Sequence, residues 1–132
     1  YNSPAVYSTA QISVKNATLT ANNSESLVIE GENSIALENC TVSGRYKVGG
    51  IVGYICNSND NPTSVTGNTL TNVTVKGENM IAGKSNFVIG KIVGNWNATV
   101  GTCKKNTFSG TTDATNNIGE VEARCTDGLT QD

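Results

Sequence analysis

The most reactive side chains in the sequence are four cysteines, Cys40, Cys56, Cys103 and Cys125. An even number of cysteines is compatible with two disulfide bonds in an oxidising compartment. Zinc binding is the alternative, and it requires closely spaced pairs such as CxxC, usually completed by histidines. The sequence contains neither a CxxC pair nor a histidine. We therefore predict disulfide bonds, with free thiols as the alternative.

The titratable residues offer little catalytic chemistry. Without histidine, the Ser-His and Cys-His arrangements of nucleophilic catalysis are excluded. Polysaccharide hydrolases instead use paired carboxylates, spaced for an acid and a nucleophile or base. The four aspartates all lie in loop-like or terminal segments: Asp60, Asp113, Asp127 and Asp132. The sequence therefore predicts a protein that is not an enzyme.

Three glutamates close together in the sequence are candidate calcium ligands, because calcium binds carboxylate oxygens. They are Glu30, Glu32 and Glu38. The alternative is an ordinary solvated polar face. We expect no resident cofactor, with calcium as the alternative.

Composition restricts the fold and the partners. The 132 residues are enough for one domain, 1–132, with a core. The formal net charge of −2 carries no basic footprint for nucleic acid. There is no run of about 18 apolar residues, so no membrane insertion is expected. Abundant Asn, Thr and Gly, with Val and Ile, predict an all-β protein of strands joined by Asn/Gly turns. The absence of an initial Met leads us to expect a mature product or a piece excised from a larger protein.

An internal repeat is the strongest structural signal in the chain. Residues 5–21 align with residues 28–44 at a shift of 23. The aligned pairs are Val6 with Ile29, Ile12 with Ile35, Val14 with Leu37, Asn16 with Asn39, Thr18 with Thr41 and Leu19 with Val42. The pattern returns as TNVTVKG (71–77) and KKNTFSG (104–110). It predicts a threonine ladder of Thr18, Thr41, Thr74 and Thr107, and an apolar ladder of Leu19, Val42, Val75 and Phe108.

Repeats of 20–30 residues with short alternating strands are the size of one coil of a β-solenoid. Stacked coils pair their backbones, and equivalent side chains form ladders along the stack. We therefore predict an all-β parallel β-helix of about five coils. Asn16, Asn39 and Asn72 should form a ladder at a turn, because stacked amides hydrogen-bond to one another.

Glycine-rich segments form a second repeat. VGGIVGYIC (48–56) returns as IGKIVGNWN (89–97) and, in degraded form, as IGEVEARC (118–125). The glycines allow backbones to approach closely, so these segments should be neighbouring strands. Polar insertions predict loops near 56–64 and 77–87. Ile51 and Val52 are adjacent, so one should point outward; an outward Val52 and its equivalent Val93 would form an apolar face for self-association.

The solenoid hypothesis also limits disulfide pairing, because each coil contacts only its neighbours. A Cys40–Cys125 bond would cross several coils and is excluded. Pairing Cys40 with Cys56, and Cys103 with Cys125, is the prediction; Cys40–Cys103 with Cys56–Cys125 is the alternative. Open coil ends are a second route to self-association.

The candidate ligand-binding residues are outward hydroxyls and aromatic rings: Thr18, Thr20, Thr41, Ser43, Thr74, Thr107, Tyr54 and Trp96. Aromatic rings stack on sugars. A flat threonine array is similar to the surfaces of ice-binding β-solenoids. Ordinary strand propensity of threonine explains the same pattern.

Residues 3–44 resemble bacterial cell-surface carbohydrate-binding proteins built as right-handed parallel β-helices. Residues 48–110, with VGGIVGYI, TNVTVKG and IGKIVGNW, are similar to the GLUG-type repeats of bacterial adhesins and secreted proteases. The resemblance implies a right-handed parallel β-helix, export to the bacterial surface and, in some members, calcium.

From these observations we expect a secreted or cell-surface module that attaches to surfaces or binds a polysaccharide or host glycan without catalysis. A fragment of a polysaccharide lyase or hydrolase is one alternative. An ice-binding or self-assembling fibre protein, using the threonine ladder or the open coil ends, is the other.

Overall fold

Short parallel strands account for the regular structure of the chain. The computed structural model describes residues 6–7, 11–21, 29–30, 34–56 and 64–132. The strands in this part are β1 (Val6–Tyr7), β2 (Ser13–Lys15), β3 (Thr18–Thr20), β4 (Ile29–Glu30), β5 (Ala36–Glu38), β6 (Thr41–Gly44), β7 (Lys47–Gly49), β8 (Val52–Cys56), β9 (Ser64–Thr66), β10 (Thr69–Gly77), β11 (Val88–Gly90), β12 (Val93–Asn97), β13 (Gly101–Lys104), β14 (Thr107–Thr112), β15 (Ile118–Val121) and β16 (Leu129–Gln131). A 3₁₀ turn spans Ala123–Cys125.

The strands form five parallel sheets. The largest runs in the order β2-β5-β10-β6-β3, with β14 also paired to β10. The others are β15-β12-β8, β16-β13-β9, β11-β7 and β1-β4. Every strand pair in the described residues is parallel and joins strands distant in sequence. The predicted all-β class with parallel strands is therefore confirmed.

The 23-residue repeat sets the register of the first strands. Val14 lies beside Leu37, and Leu19 beside Val42, as the alignment predicts. Val42 then lies beside Val75. Leu37, Val42 and Val75 are each at most 1% exposed. Alternation therefore turns one face of each strand into a continuous apolar core.

The predicted last step of both ladders is wrong. Thr107 pairs with Thr69, and Phe108 pairs with Leu70, instead of following Thr74 and Val75. The residue beside Thr74 is Thr111. The reason is that β10 contains two consecutive threonine-apolar patterns, Thr69-Leu70 and Thr74-Val75. The first half of β10 continues β5 and the second half continues β6.

The predicted asparagine ladder is confirmed. The Asn39 side-chain amide donates to Asn16 Oδ1 at 3.2 Å, and that of Asn72 donates to Asn39 Oδ1 at 2.8 Å. All three residues have positive φ, between 52° and 56°. Asparagine tolerates this left-handed conformation better than most residues. The ladder therefore forms the corner between the two halves of the largest sheet. One half contains β2, β5 and the first part of β10, and the other contains β3, β6 and the second part of β10.

A second asparagine pair closes another corner. Asn68 is 2% exposed, and its Nδ2 donates to Asn106 Oδ1 at 2.8 Å. Asn68 Oδ1 accepts from the Ile35 backbone at 2.8 Å. The residues just before Ile35, Asn68 and Asn106 also have positive φ: Ser34, Gly67 and Lys105. Side-chain amides thus supply hydrogen bonds where the strands turn.

The glycine segments bring sheets together at backbone distance. Ile89 lies beside Val48, and Val93 beside Val52, so the predicted relation between the first two segments is confirmed. A Cβ on Gly94 would lie 2.5 Å from the Gly53 carbonyl oxygen and 2.7 Å from the Val48 nitrogen. Only glycine permits this packing of β12 against its neighbours.

The predicted apolar surface at Val52 and Val93 is wrong, because both side chains are buried. Val52 is 2% exposed and Val93 is fully buried, as is Ile92, and Ile51 is 3% exposed. The chain bends at Gly50–Ile51, between β7 and β8. Strand alternation therefore does not continue from Ile51 to Val52, and both side chains join the core.

The predicted disulfide bonds are absent, and all four cysteines are thiols in the structure. Cys40 precedes β6 in the largest sheet, whereas Cys56 ends β8 in another. Cys103 lies on β13, and Cys125 lies in the 3₁₀ turn that contacts β12. The thiols are therefore held on separate elements.

The two predicted loops have different outcomes. Residues 78–87 form the connection between β10 and β11, as predicted. Ile81 and Asn79 hold this loop to Arg45, through a backbone hydrogen bond of 3.2 Å and an Arg45 Nε bond of 2.9 Å. Most of the 56–64 insertion lies outside the described residues.

Candidate functional site

The register of β8, β12 and β15 aligns three different polar side chains. Tyr54 lies beside Asn95, and Asn95 lies beside Glu120. Neighbouring strands are about 4.8 Å apart, so these side chains are in direct reach of one another. On the opposite side of the same strands, Trp96 lies between Ile55 and Val121 in the core. The strands thus have one apolar and one polar face.

Flanking residues complete a group that we call the Tyr54 cluster. It consists of Tyr46, Lys47, Tyr54, Asn95, Asn97, Glu120, Glu122 and Arg124. Its members come from β7, β8, β12, β15 and the segments next to them. No single stretch of the sequence contains it.

Two carboxylates in the cluster converge on one amide. Asn95 Nδ2 donates to Glu120 Oε1 at 2.6 Å and to Glu122 Oε1 at 3.0 Å. The hydrogen bond from Asn95 lowers the pKa of Glu122, and the neighbouring Glu120 side chain and the charges of Lys47 and Arg124 lower it further. Glu122 is therefore held as a carboxylate.

Asn95 itself is fully buried, and one of its atoms is unsatisfied. Its Oδ1 has no hydrogen-bond donor among the described residues. A buried polar atom without a partner is unusual, and leaving it so costs about 1–3 kcal/mol. The amide nitrogen is the atom bonded to the carboxylates of Glu120 and Glu122.

Aromatic rings and cations form the other side of the cluster. The Lys47 ammonium lies 4.0 Å from the Tyr54 ring centroid and 5.7 Å from that of Tyr46. Lys84 lies 4.6 Å from the Tyr46 ring centroid. These distances are within the range of cation–π attraction. The Tyr54 hydroxyl accepts a hydrogen bond from Asn97 Nδ2 at 2.9 Å.

Arg124 connects the cluster to the 3₁₀ turn. Its Nη2 donates to the Asn97 side-chain oxygen at 2.7 Å and to the Asn97 carbonyl at 3.3 Å. Asn97 therefore bridges Arg124 and Tyr54. Together the cluster offers aromatic surface, amides, carboxylates and cations within one polar face, which is the mixture that polyhydroxylated ligands require.

The predicted threonine ladder is present, except that one of its four members differs from the prediction. Thr18, Thr41 and Thr74 are neighbours on β3, β6 and β10, and Thr111 is the fourth member. Thr41 and Thr74 are only partly exposed. Thr107 is exposed but stands beside Thr69, in the other half of the sheet.

The second hydroxyl row is less accessible. Ser43 lies between Thr20 and Lys76 in the sheet. It is 1% exposed and donates a hydrogen bond to Thr20 Oγ1 at 3.3 Å. Ser43 therefore does not contribute to a surface that meets water or a ligand.

Of the two predicted aromatic ligand residues, only Tyr54 is at the surface. Trp96 is fully buried, and its indole N–H donates to the Ala98 carbonyl at 3.0 Å. The prediction that the Trp96 ring stacks on a sugar is wrong, because alternation along β12 points this side chain into the core. The side chain of Tyr54 on β8 points to the opposite face of the sheet from Trp96, and it is partly exposed.

The candidate calcium ligands do not form a site in the described residues. Glu38 is exposed and pairs with Lys15 at 3.4 Å. Glu30 lies in β4, its side chain outside the description, and Glu32 lies outside the described residues. In the part of the chain that is described, no three His, Cys, Asp or Glu residues are grouped as metal ligands.

Sequence reasoning missed Glu120 and Glu122 as site residues. Their spacing carried a usable signal, since the pattern Glu-Val-Glu places both carboxylates on the same face of a strand. What could not be read was that Asn95, 25 residues earlier, lies directly beside Glu120.

A separate cavity of about 540 Å³ lies between the beginning of β15 and the end of β16. Lys91, Asn116, Asn117, Ile118 and Asp132 are among its lining residues. It lies beside β15, whose described pairing is with β12 alone. The cavity thus belongs to the open edge of the sheets.

Among the described residues, no helix has the length and apolar character needed to cross a membrane. The comparisons with known proteins give no relative: no protein-family model, curated protein or solved structure matches the chain.

Proposed function

We propose that the protein is a glycan-binding module without catalytic activity, built as a right-handed parallel β-helix and displayed on a bacterial surface or secreted. The parallel sheets, the 23-residue register and the asparagine corners support the β-helix. Exposed polar faces on stacked strands are a regular surface on which a polymer of sugars can lie. The ligand is a polysaccharide or host-surface glycan.

The observation that carries the proposal is the alignment of Tyr54, Asn95 and Glu120 across three neighbouring strands. A tyrosine ring supplies an apolar surface for the C–H face of a sugar. Beside it, the carboxylates of Glu120 and Glu122 and the amide of Asn97, all at least partly exposed, can form hydrogen bonds with sugar hydroxyls. The Tyr54 cluster therefore replaces the hydroxyl ladder as the favoured binding surface.

A glycan screen followed by titration of the best ligand tests this proposal. Tyr54→Ala should weaken binding roughly three- to tenfold, since aromatic contacts contribute about 0.5–1.5 kcal/mol beyond buried area. Thr74→Val, which keeps the branched shape on the hydroxyl ladder, is the matched control and should bind normally. Binding should be measured with and without calcium.

Two outcomes would overturn the proposal. One is that no glycan in the screen binds with calcium supplied. The other is that Thr74→Val abolishes glycan binding while Tyr54→Ala does not, which would place the ligand on the threonine ladder instead of the Tyr54 cluster.

One observation favours the hydrolase alternative: Glu120 and Glu122 converge on the same amide. Glycoside hydrolysis also requires a carboxylic acid that is protonated at working pH. The lowered pKa of Glu122 is unsuited to that role. Release of reducing sugar by the wild type, lost in Glu122→Gln, would establish hydrolysis.

Self-association through the ends of the stack is a second candidate property. In the described structure, β15 pairs only with β12, β16 only with β13 and β14 only with β10. Such strand edges are templates for pairing with another chain. Analytical ultracentrifugation over a range of concentrations would detect the resulting oligomers; a monomer at all concentrations would contradict this property.

A further inference from the structure

The Tyr54 cluster also indicates which class of glycan it takes. Resting on the proposed function, we infer that the ligand is an amino-sugar polymer whose primary amines are not acetylated, bound through its ammonium groups by Glu120, Glu122 and the Tyr54 ring. Three independent features of the cluster lead to this inference.

The first feature is the pair of carboxylates. Glu120 and Glu122 each use one oxygen to accept from Asn95 Nδ2. Each carboxylate has about four lone-pair positions, so both retain acceptor capacity. Glu120 is exposed, and Glu122 is partly exposed. A primary ammonium, with three donors and a positive charge, satisfies two neighbouring carboxylates better than a neutral hydroxyl does.

The second feature is an ammonium group of the protein in the same place. Lys47 Nζ lies 4.0 Å from the centroid of the Tyr54 ring, and its charge also acts on Glu122. The side chain therefore shows that a primary ammonium is accommodated on the Tyr54 ring, with its charge acting on Glu122. A ligand ammonium makes the same two interactions when the flexible lysine moves aside.

The third feature is the unsatisfied oxygen of Asn95. This side chain is fully buried, it is bonded to both carboxylates through its nitrogen, and its Oδ1 has no donor among the described residues. An ammonium or hydroxyl donor that enters beside the ring as Lys47 moves aside supplies the missing hydrogen bond.

The charges decide between ligand classes. The charge of Lys47 acts on Glu122, and Arg124 is bonded to Asn97 through its Nη2, so displacing Lys47 leaves the Glu120 and Glu122 carboxylates with less positive charge beside them. This balance favours a positively charged sugar and opposes a uronic acid or sulfated sugar. A glycan with uronic acid or sulfate groups would instead need Lys47 to stay in place as its ion-pair partner.

The experiment compares three oligosaccharides of equal length by calorimetry at roughly pH 6, below the usual range of amine pKa values. They are a fully deacetylated glucosamine oligomer, its N-acetylated counterpart and an oligogalacturonate. We expect the deacetylated oligomer to bind at least about tenfold tighter than the other two, a difference typical of charged hydrogen bonds.

The variants should change the affinity for the deacetylated oligomer in opposite directions. The double variant Glu120→Gln, Glu122→Gln should lose about tenfold in affinity for the deacetylated oligomer. Lys47→Gln removes the competing ammonium and should increase that affinity, whereas Thr74→Val on the threonine ladder is the matched control and should leave it unchanged. Thermal unfolding of each variant verifies that the fold is retained.

Each contrary result separates this inference from the proposed function. Equal binding of the acetylated and deacetylated oligomers, lost in Tyr54→Ala, overturns the amino-sugar inference and leaves glycan binding in place. Preference for oligogalacturonate, weakened by Lys47→Gln, overturns it in favour of an acidic glycan. Binding of none of the three overturns the inference, and the wider screen then decides the proposed function.

Discussion

Gly94 is a position where the close packing of the sheets can be tested by a single substitution. It lies on β12, and a methyl group there would meet three backbone atoms: the Gly53 carbonyl oxygen at 2.5 Å, the Val48 nitrogen at 2.7 Å and the Val48 oxygen at 2.9 Å. None of these atoms belongs to a flexible side chain. We predict that Gly94→Ala forces the strands apart.

The size of the effect follows from those distances. Favourable contacts between heavy atoms lie at about 3.5 Å, so the backbones must separate by up to roughly 1 Å. Overpacking costs about 1–3 kcal/mol where side chains can adjust. Here parallel hydrogen bonds must also lengthen, and each buried bond left unmade costs about 1–3 kcal/mol. We expect the free energy of unfolding to fall by more than about 4 kcal/mol, which is exceptional for one substitution.

Urea denaturation monitored by fluorescence measures this change, because Trp96 is the only tryptophan and is fully buried. Gly83→Ala is the control: its Cβ would meet nothing within 4 Å, and its positive φ of 86° alone should cost about 1–2 kcal/mol. If Gly94→Ala is no more destabilising than Gly83→Ala, the reasoning about backbone contact is refuted.

Three further predictions test the ladder and the titrating groups. Asn39→Ala removes two side-chain hydrogen bonds of the asparagine ladder and places alanine at φ 54°, so the free energy of unfolding should fall by about 2–3 kcal/mol. A loss below about 0.5 kcal/mol in urea denaturation would contradict a stabilising role of the asparagine ladder. Burial, and then the charge of Asp132, raise the pKa of Cys103 from 9.0 to about 11. Its thiol should therefore resist alkylation at about pH 8, which mass spectrometry of labelled protein measures. The contribution of the thiol to stability should be lost as pH rises from 9.0 to about 11, which unfolding at each pH measures. Fast labelling of the folded protein would contradict the raised pKa. The lowered pKa of Glu122 contributes stability above its ordinary value of 4.5, which is lost as pH falls through the folded value; Glu122→Gln should flatten this acid limb of a thermal-unfolding profile, and an unchanged limb would assign it to other groups.

The sequence reached the fold class because its pattern is local and repeated. Alternation around Val14, Leu19 and Val42 identified the buried face, and the shift of 23 identified the strand partners. Asn16 and Asn39 were recognisable as corner residues because asparagine accepts a left-handed backbone and its amide bonds to a copy of itself.

The same reasoning failed where one pattern had two matches. Thr107 fits beside either Thr69 or Thr74, and neighbouring apolar residues do not distinguish them. The structure places Thr107 beside Thr69 and Thr111 beside Thr74. Likewise the adjacent apolar pair Ile51 and Val52 suggested an outward face until the bend between β7 and β8 placed both inside.

What the sequence alone determined is the set of properties that short-range pattern encodes: all-β class, parallel repeats, inward apolar positions and turn asparagines. What only the tertiary structure decided is the Tyr54 cluster, together with the thiol state of the cysteines. Tyr54, Asn95 and Glu120 are separated by 41 and 25 residues, and they meet because parallel strands repeat at a distance fixed by insertions of unequal length. Periodicity specifies which way a side chain points, whereas the length of each connection selects its neighbours across the sheet.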